Sequence, residues 1–287
     1  VPFPVTVGVD GSPQSLAAAD WGAQEAELRG LPLRVINVWP KPFPLPEAPE
    51  ARQALEHWGQ RVPRETEARL RSGHPALELT VEQIDGEPEP VLSAAAKEST
   101  LLVLGSQGLS GTAGYLVGST GHLLLGELKE PPLVFVRSPG KGQRAPAPDG
   151  PVVVGVAKGA DEPLEFAFEA AARHDCPLRA VHVWRSPGYF GFGLVAGDSL
   201  TGDHAQREAA ALTEALRPWR ERYRTVEVVE DSAPGRPVDL LTDAAQGASL
   251  LVVGHRSRHF PLGARAGSVT YGVLHHVPVP VAVVPHR

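Results

Sequence analysis

The chain has 287 residues, enough for two domains of ordinary size, and its 42% hydrophobic and 21% charged residues match a globular protein. A net charge of −6 without a long basic run argues against a nucleic-acid partner. No apolar run approaches the ~20 residues that span a bilayer and no signal-peptide pattern opens the chain, so a cytoplasmic protein without membrane attachment is the expectation.

The absence of Met predicts an initiator that has been removed or trimmed. In chain order, Val5–Val9 reads as a strand. Behind it Ser12 is placed to cap a helix, Pro13 to take its first position and Gly30 to close it. Leu33–Val38 is a second strand, and a proline-rich stretch from Pro40 to Glu50 leads to a helix over Ala51–Arg71, which Pro63 should break or kink. Leu77–Val81 alternates like an edge strand, and Pro90–Glu98 reads as a third helix. Leu101–Gly105 is a strand that ends in a Gly- and Ser-rich loop, Gly118-Ser119 opens the next helix, and Leu133–Val136 is the fifth strand.

The same plan then recurs. Val5–Asp10 matches Val152–Ala157, Leu33–Trp39 matches Leu178–Trp184, Leu101–Gly105 matches Leu250–Gly254, Gly118-Ser119 matches Gly267-Ser268, and Pro132–Val136 matches Pro280–Val284. Order is kept, and the offset stays between 145 and 149 residues, the mark of a tandem duplication. The Pro/Gly/Ala-rich stretch 138–150 is the linker between domains at 1–137 and 151–287. The second copy predicts a helix from Asp161 to about His174, strands at Leu178–Val183 and Val226–Val229, and helices near His204–Arg222 and Val238–Gln246. His275-His276 should end the last helix, where imidazole suits the dipole. Apolar strands alternating with helices make an α/β fold with a parallel sheet, whose ligands sit at the carboxyl ends of the strands. Asp10, Val38 and Gly105 each fall at or next to such an end. The single cysteine, Cys176, ends a helix and reads as a packing residue rather than a nucleophile.

Leu101–Thr120 carries the chemistry. Strand, glycine loop and helix N-terminus together hold phosphate, because glycine lets backbone approach closely and the first helical N–H groups face the anion. Gly105, Gly108, Gly118 and Ser119 are spaced G-x2-G-x9-G-S. No Gly-Lys-Ser/Thr follows, as a P-loop requires, and there is no G-x-G-x-x-G in the first βα turn, as a Rossmann domain requires. Read alone, the loop is a phosphate cradle or a surface turn, and Asp10 a ligand acceptor or an Asx-type cap.

The spacing resembles the ATP-binding signature of the universal stress protein family, and Val7–Ser12, VGVDGS, resembles the opening strand of that family's domains. The resemblance covers nearly the whole chain. It implies an adenine nucleotide α-hydrolase-like fold: two tandem five-stranded, mainly parallel sheets in order 3-2-1-4-5, paired through their C-terminal strands as an intramolecular pseudo-dimer. Association of two such chains as a homodimer, and the identity of a protein partner, stay open. It further implies ATP, with or without Mg2+, as ligand. Gly8, Val9 and Asp10 of the first strand, Val38 beside the base, and Gly105, Gly108, Gly118, Ser119 and Thr120 around ribose and phosphates would bind it.

The second copy departs from that pattern. Ala157 replaces Asp10, Lys158-Gly159 replaces Gly11-Ser12, and Ser257 takes the place of the second glycine. Gly254, Gly267, Ser268 and Val269 keep the remainder as a degenerate second site. His255, Arg256, Arg258, His259 and Arg265 make that loop basic, either for an anion or as a solvated loop, and without an acidic neighbour they predict no metal. Tyr189, Phe190 and Phe192 form a lid, a contact surface or a disordered stretch. The first-copy loop, GSQGLSGTAG, contains no Lys, Arg, His or acid, so no catalytic residue is assigned. A regulatory nucleotide-binding protein is the expectation; a slow ATPase or other ATP-using enzyme and a scaffold that binds no nucleotide are the competing readings.

Overall fold

The computed structural model describes residues 2–40, 48, 50, 53, 57, 59–108, 115–116, 118–127, 130–138, 149–185, 198–256 and 267–286. Most of the linker, Tyr189, Phe190, Phe192, Arg258, His259 and Arg265 lie outside these residues. The chain divides into two compact units, each with its own five-stranded parallel sheet.

The first unit begins with β1 (Val5–Val9), α1 (Pro13–Arg29) and β2 (Leu33–Trp39). It continues with α2 (Arg61–Gly73), β3 (Leu79–Asp85), α3 (Pro88–Ala96) and β4 (Leu101–Gly108). The two-residue β5 (Tyr115–Leu116), α4 (Ser119–Glu127) and β6 (Leu133–Arg137) complete it. Strand order is β3-β2-β1-β4-β6, all parallel, while β5 folds back antiparallel on the end of β4. Every residue of β1 is buried, as expected for the middle strand of a parallel sheet covered on both faces.

Local signals set α1. Ser12 is extended and its hydroxyl accepts from Ser15 N at 3.2 Å, Pro13 occupies the first turn, and Gly30 closes the helix in the left-handed region at φ 63°. Pro63 breaks its helix as its chemistry requires. Gly59 is helical, Gln60 is a turn, and α2 starts at Arg61. The carbonyl of Gly59, which a residue with an N–H at position 63 would have bonded, accepts instead from Gln83 Nε2 at 2.7 Å.

Two strands run well past the bounds read from the sequence. β3 starts two residues later and runs four further, to Asp85, because it pairs with β2 out to Trp39 although its apolar alternation stops at Val81. β4 continues through Gly105 to Gly108, since Gly105 pairs with Val136 and Ser106 with Arg137 of β6. Gly105 is a strand residue, as read from the sequence, and Ser106 to Gly108, read as loop, continue the strand.

The second unit repeats the plan: β7 (Val152–Gly155), α5 (Asp161–Arg173), β8 (Leu178–Trp184), α6 (Asp198–Arg222) and β9 (Val228–Pro234). α7 (Pro237–Ala244), β10 (Leu250–Arg256), α8 (Ser268–His276) and β11 (Val281–His286) follow, in parallel order β9-β8-β7-β10-β11. The strand read at Val226–Val229 is thus β9, displaced toward Pro234 by its register with β8. His275-His276 ends α8. Cys176 is buried, and burial pushes its thiol above the ordinary value, which fits a packing residue. Among the described residues no helix is long and apolar enough to cross a membrane.

Candidate functional site

In a sheet of this order the chain leaves β1 toward β2 on one side and reaches β4 on the other. The connections diverge between β1 and β4, and a crevice opens at their carboxyl ends. In the first unit that crevice is a cleft of about 270 Å³. Its lining draws Gly8, Val9 and Asp10 from the β1 end, Ile36 and Val38 from β2, Leu104 and Gly105 from β4, and Gly118, Ser119, Thr120 and Gly121 from the start of α4. Ser12, Gln14 and Ser15 at the start of α1 and Pro88 and Leu92 of α3 complete it.

Four chain segments thus bring eight of the nine first-copy positions together. Gly108 is the exception: it closes β4, pairs with Tyr115, and is not among the described lining residues.

Among the described lining residues Asp10 is the only carboxylate. Its Oδ1 accepts from Ser12 N at 2.9 Å, while its own N–H donates to Ser15 Oγ at 3.2 Å. Partial burial pushes the carboxyl up, but the hydroxyl and N–H of Ser12, together with Ser15, outweigh that and hold its pKa below the ordinary value. The carboxylate is thereby oriented and kept ionised, an acceptor at the mouth of an otherwise uncharged cleft. Ser12, not Asp10, caps α1; Asp10 instead makes the Asx-type bond to the cap's own N–H.

The first and last glycines of the motif do different work. A Cβ on Gly105 would lie 2.6 Å from both Gln14 C and Ser15 N, so the glycine lets β4 pass under the first turn of α1. A Cβ on Gly118 would meet nothing within 4 Å. Gly118 carries open space above the N-terminus of α4, whose first turn holds no acidic residue, as is also true of α1. The start of α4 can therefore face an anion through N–H groups without an acidic side chain of its own, whereas at α1 the Asp10 carboxylate already occupies Ser12 N.

Asn37 is a site-forming residue that the motif does not mark. Buried behind the cleft, it donates from Nδ2 to Val9 O at 2.8 Å, capturing the carbonyl from which the chain turns into Asp10, and its Oδ1 accepts from Gln83 Nε2 at 3.3 Å. An amide inside the apolar run of β2 is the signal that could have found it.

The second unit keeps the scaffold without the cleft's polar equipment. Gly254 lies in β10, Gly267 precedes α8, Ser268 opens that helix and Val269 follows half-buried, while Thr270 Oγ1 donates to Gly254 O at 3.3 Å. Ala157 offers no acceptor. The left-handed turn falls on Gly159 (φ 70°), one residue later than Gly11 (φ 81°), so Lys158 is an added residue ahead of the turn rather than a replacement for Gly11. α5 has no side-chain cap and carries Asp161 and Glu162 in its first turn, where their charges oppose an anion. Among the described residues no group of His, Cys, Asp and Glu is arranged to hold a metal.

Comparison with known proteins agrees with this architecture. The model of the universal stress protein family matches residues 3–137 and again 150–285. The universal stress protein Rv1996 of Mycobacterium tuberculosis is 31% identical over 97% of this chain and 94% of its own length, and Rv2005c of the same organism is 33% identical over 97% and 96%. The crystal structure of a universal stress protein from Archaeoglobus fulgidus superposes with a TM-score of 0.68 over 98% of both chains at 18% identity, an agreement in fold. With two matches of the family model, one per sheet, and relatives similar along almost their entire length, the chain belongs to the universal stress protein family as a tandem member with two such domains.

Proposed function

We propose that the protein is a regulatory member of its family that binds an adenine nucleotide, ATP, in the cleft of the first domain. The observation that carries the reading is the convergence of Asp10, Val38 and Gly118–Thr120, from three separate segments, on one cleft of about 270 Å³, near the lower end of the ~300–1,000 Å³ common for small-molecule sites. In this reading Val38, Ile36 and Leu104 supply the apolar wall for the base, and Asp10 accepts from its donors or from ribose hydroxyls. The phosphates lie over Gly118, Ser119 and Thr120, at a helix start with open space where a Cβ on Gly118 would be.

The described lining contains no Lys, Arg or His to stabilise a transferring phosphoryl group, which supports binding without efficient turnover. Mg2+ would arrive with the phosphates, since Asp10 is the single carboxylate among the described lining residues. The second domain, with Ala157 for Asp10 and with Asp161 and Glu162 at its helix start, takes no nucleotide in this account.

Denaturing the purified chain and identifying any released nucleotide, followed by calorimetric titration with ATP, tests the reading. ATP bound by the wild type and weakened in Asp10→Ala is the expected result. Absence of both bound nucleotide and measurable affinity would defeat it, and product formation well above background would favour an ATP-using enzyme.

A further inference from the structure

Each domain captures the carbonyl where its first strand ends with a side chain from its second strand, but the two use different chemistry. In the first domain Asn37 Nδ2 donates to Val9 O, and Asn37 is supported by Gln83, its register partner on β3. Both groups are neutral amides at any pH. In the second domain the equivalent residue is His182, whose Nδ1 lies 3.1 Å from Val156 O. Its register partner on β9 is Ser232, a shorter side chain whose buried hydroxyl finds no partner. The second contact comes instead from α6: Nε2 of His182 lies 3.0 Å from Glu208 Oε2.

These two contacts decide the protons. A backbone carbonyl only accepts, so Nδ1 must carry hydrogen. An ionised carboxylate also only accepts, so Nε2 must carry hydrogen as well. A neutral imidazole has one N–H and serves one partner, leaving a lone pair facing a carboxylate oxygen at the other.

We propose that His182 acts as an imidazolium clamp between Val156 and Glu208 that fastens the early turns of α6 to the carboxyl end of the second sheet, a proton-dependent tie that the first domain, with Asn37 and Gln83, does not have. Glu208 responds as such a partner should. The hydrogen bond from His182 is the main cause holding its carboxyl below the ordinary range; partial burial opposes this, and the charges of His182, His204 and Lys158 add to it.

Among the described residues the groups facing His182 are few. From α6 there are Glu208 and His204, whose Nε2 is 3.6 Å from Glu208 Oε1 and whose ring meets Trp184 edge-on at 4.9 Å. Lys158 bears on the pair from the turn after β7, and β9 presents the neutral Ser232.

The sign follows. The clamp needs Glu208 ionised and His182 protonated. It is therefore lost in acid once Glu208, held below its ordinary value, is protonated, and lost as pH rises when the imidazole gives up its proton. The loss is local. Farther along α6, Arg220 still pairs with Glu230 at 2.7 Å and Thr213 still donates to Glu230 at 2.6 Å, and neither contact involves a histidine.

Hydrogen exchange of the full chain between about pH 5.5 and pH 8, corrected for intrinsic rates, tests the clamp. The expected result is a roughly tenfold fall in protection around residues 202–210 as pH rises, the effect of one charge-assisted hydrogen bond, with residues 216–222 and α2 unchanged. Glu208→Gln should flatten the pH dependence, because an amide can donate to the neutral imidazole. His182→Asn, which installs the first domain's solution, should do the same. An unchanged wild-type profile, or a Glu208→Gln profile as steep as the wild type's, would overturn the proposal. Should His182→Asn fold poorly, the nitrogen chemical shifts of His182 in the wild type decide it: two protonated ring nitrogens at about pH 6 are required, and a neutral ring there refutes the clamp.

Discussion

Gly105→Ala isolates what the first glycine of the motif does. The added Cβ would sit 2.6 Å from Gln14 C and Ser15 N and 2.9 Å from Gln14 O, where ordinary contact begins at 3.4 Å. All three are backbone atoms in the first turn of α1, so no side chain can swing aside and the helix must retreat by roughly 1 Å. Overpacking of this kind costs about 1–3 kcal/mol. For a domain of this size that lowers the melting temperature by roughly 2–4 °C per kcal/mol. The same retreat moves Ser12 and Ser15, which hold Asp10, so nucleotide affinity should fall with stability. Gly118→Ser is the matched control. Its Cβ enters open space, Gly118 O accepts from His122 N as an N-cap residue does, and serine is a better cap than glycine. Its stability should stay within about 0.5 kcal/mol of the wild type while the narrowed cleft weakens ATP. Urea unfolding followed by exchange of the α1 amides reads the first-domain transition. A Gly105→Ala protein as stable as the wild type, or a Gly118→Ser protein destabilised as much as Gly105→Ala, would refute the division of labour between the two glycines.

Two further changes probe the first domain. Glu25→Ala removes the partner of Arg29, whose Nε lies 2.6 Å from Glu25 Oε1 with both side chains buried. Loss of this buried ion pair should destabilise the first domain by at least about 1 kcal/mol in denaturant unfolding, and a smaller loss would contradict that reading. Ser12→Ala removes the cap of α1 at a cost of about 0.5–2 kcal/mol and should raise the titration of Asp10, observed by carboxyl carbon chemical shift, toward its ordinary value. Because the folded Asp10 titration is depressed, its stabilisation is complete above the unfolded value and fades as pH falls through the folded one. The stability gap between wild type and Ser12→Ala should accordingly narrow in acid.

Features written in neighbouring residues were legible before any coordinates. Ser12, Pro13 and Gly30 bracket α1 because caps act within one turn, and Pro63 announces the break at Gln60 because its missing N–H is a local fact. The duplication exposed both sheets. What stayed hidden depends on partners distant in sequence. The true end of β3 is set by its register with β2, against a run, Glu82–Asp85, that reads as polar loop. Gly105 looked like a phosphate glycine, yet its tightest neighbour is the α1 backbone some ninety residues earlier. His182 lies within a strand that the sequence marks only as apolar. Its meaning depends on Val156, Glu208 and the exchange of Gln83 for Ser232, none of which periodicity can connect.

The central claim is one adenine-nucleotide site per chain, in the first domain. Calorimetric titration of the full chain with ATP, alongside Asp10→Ala, measures it most directly. The account predicts a stoichiometry of one nucleotide per chain, with the affinity lost or strongly weakened in the variant. Two nucleotides per chain, or binding indifferent to Asp10→Ala, would contradict it.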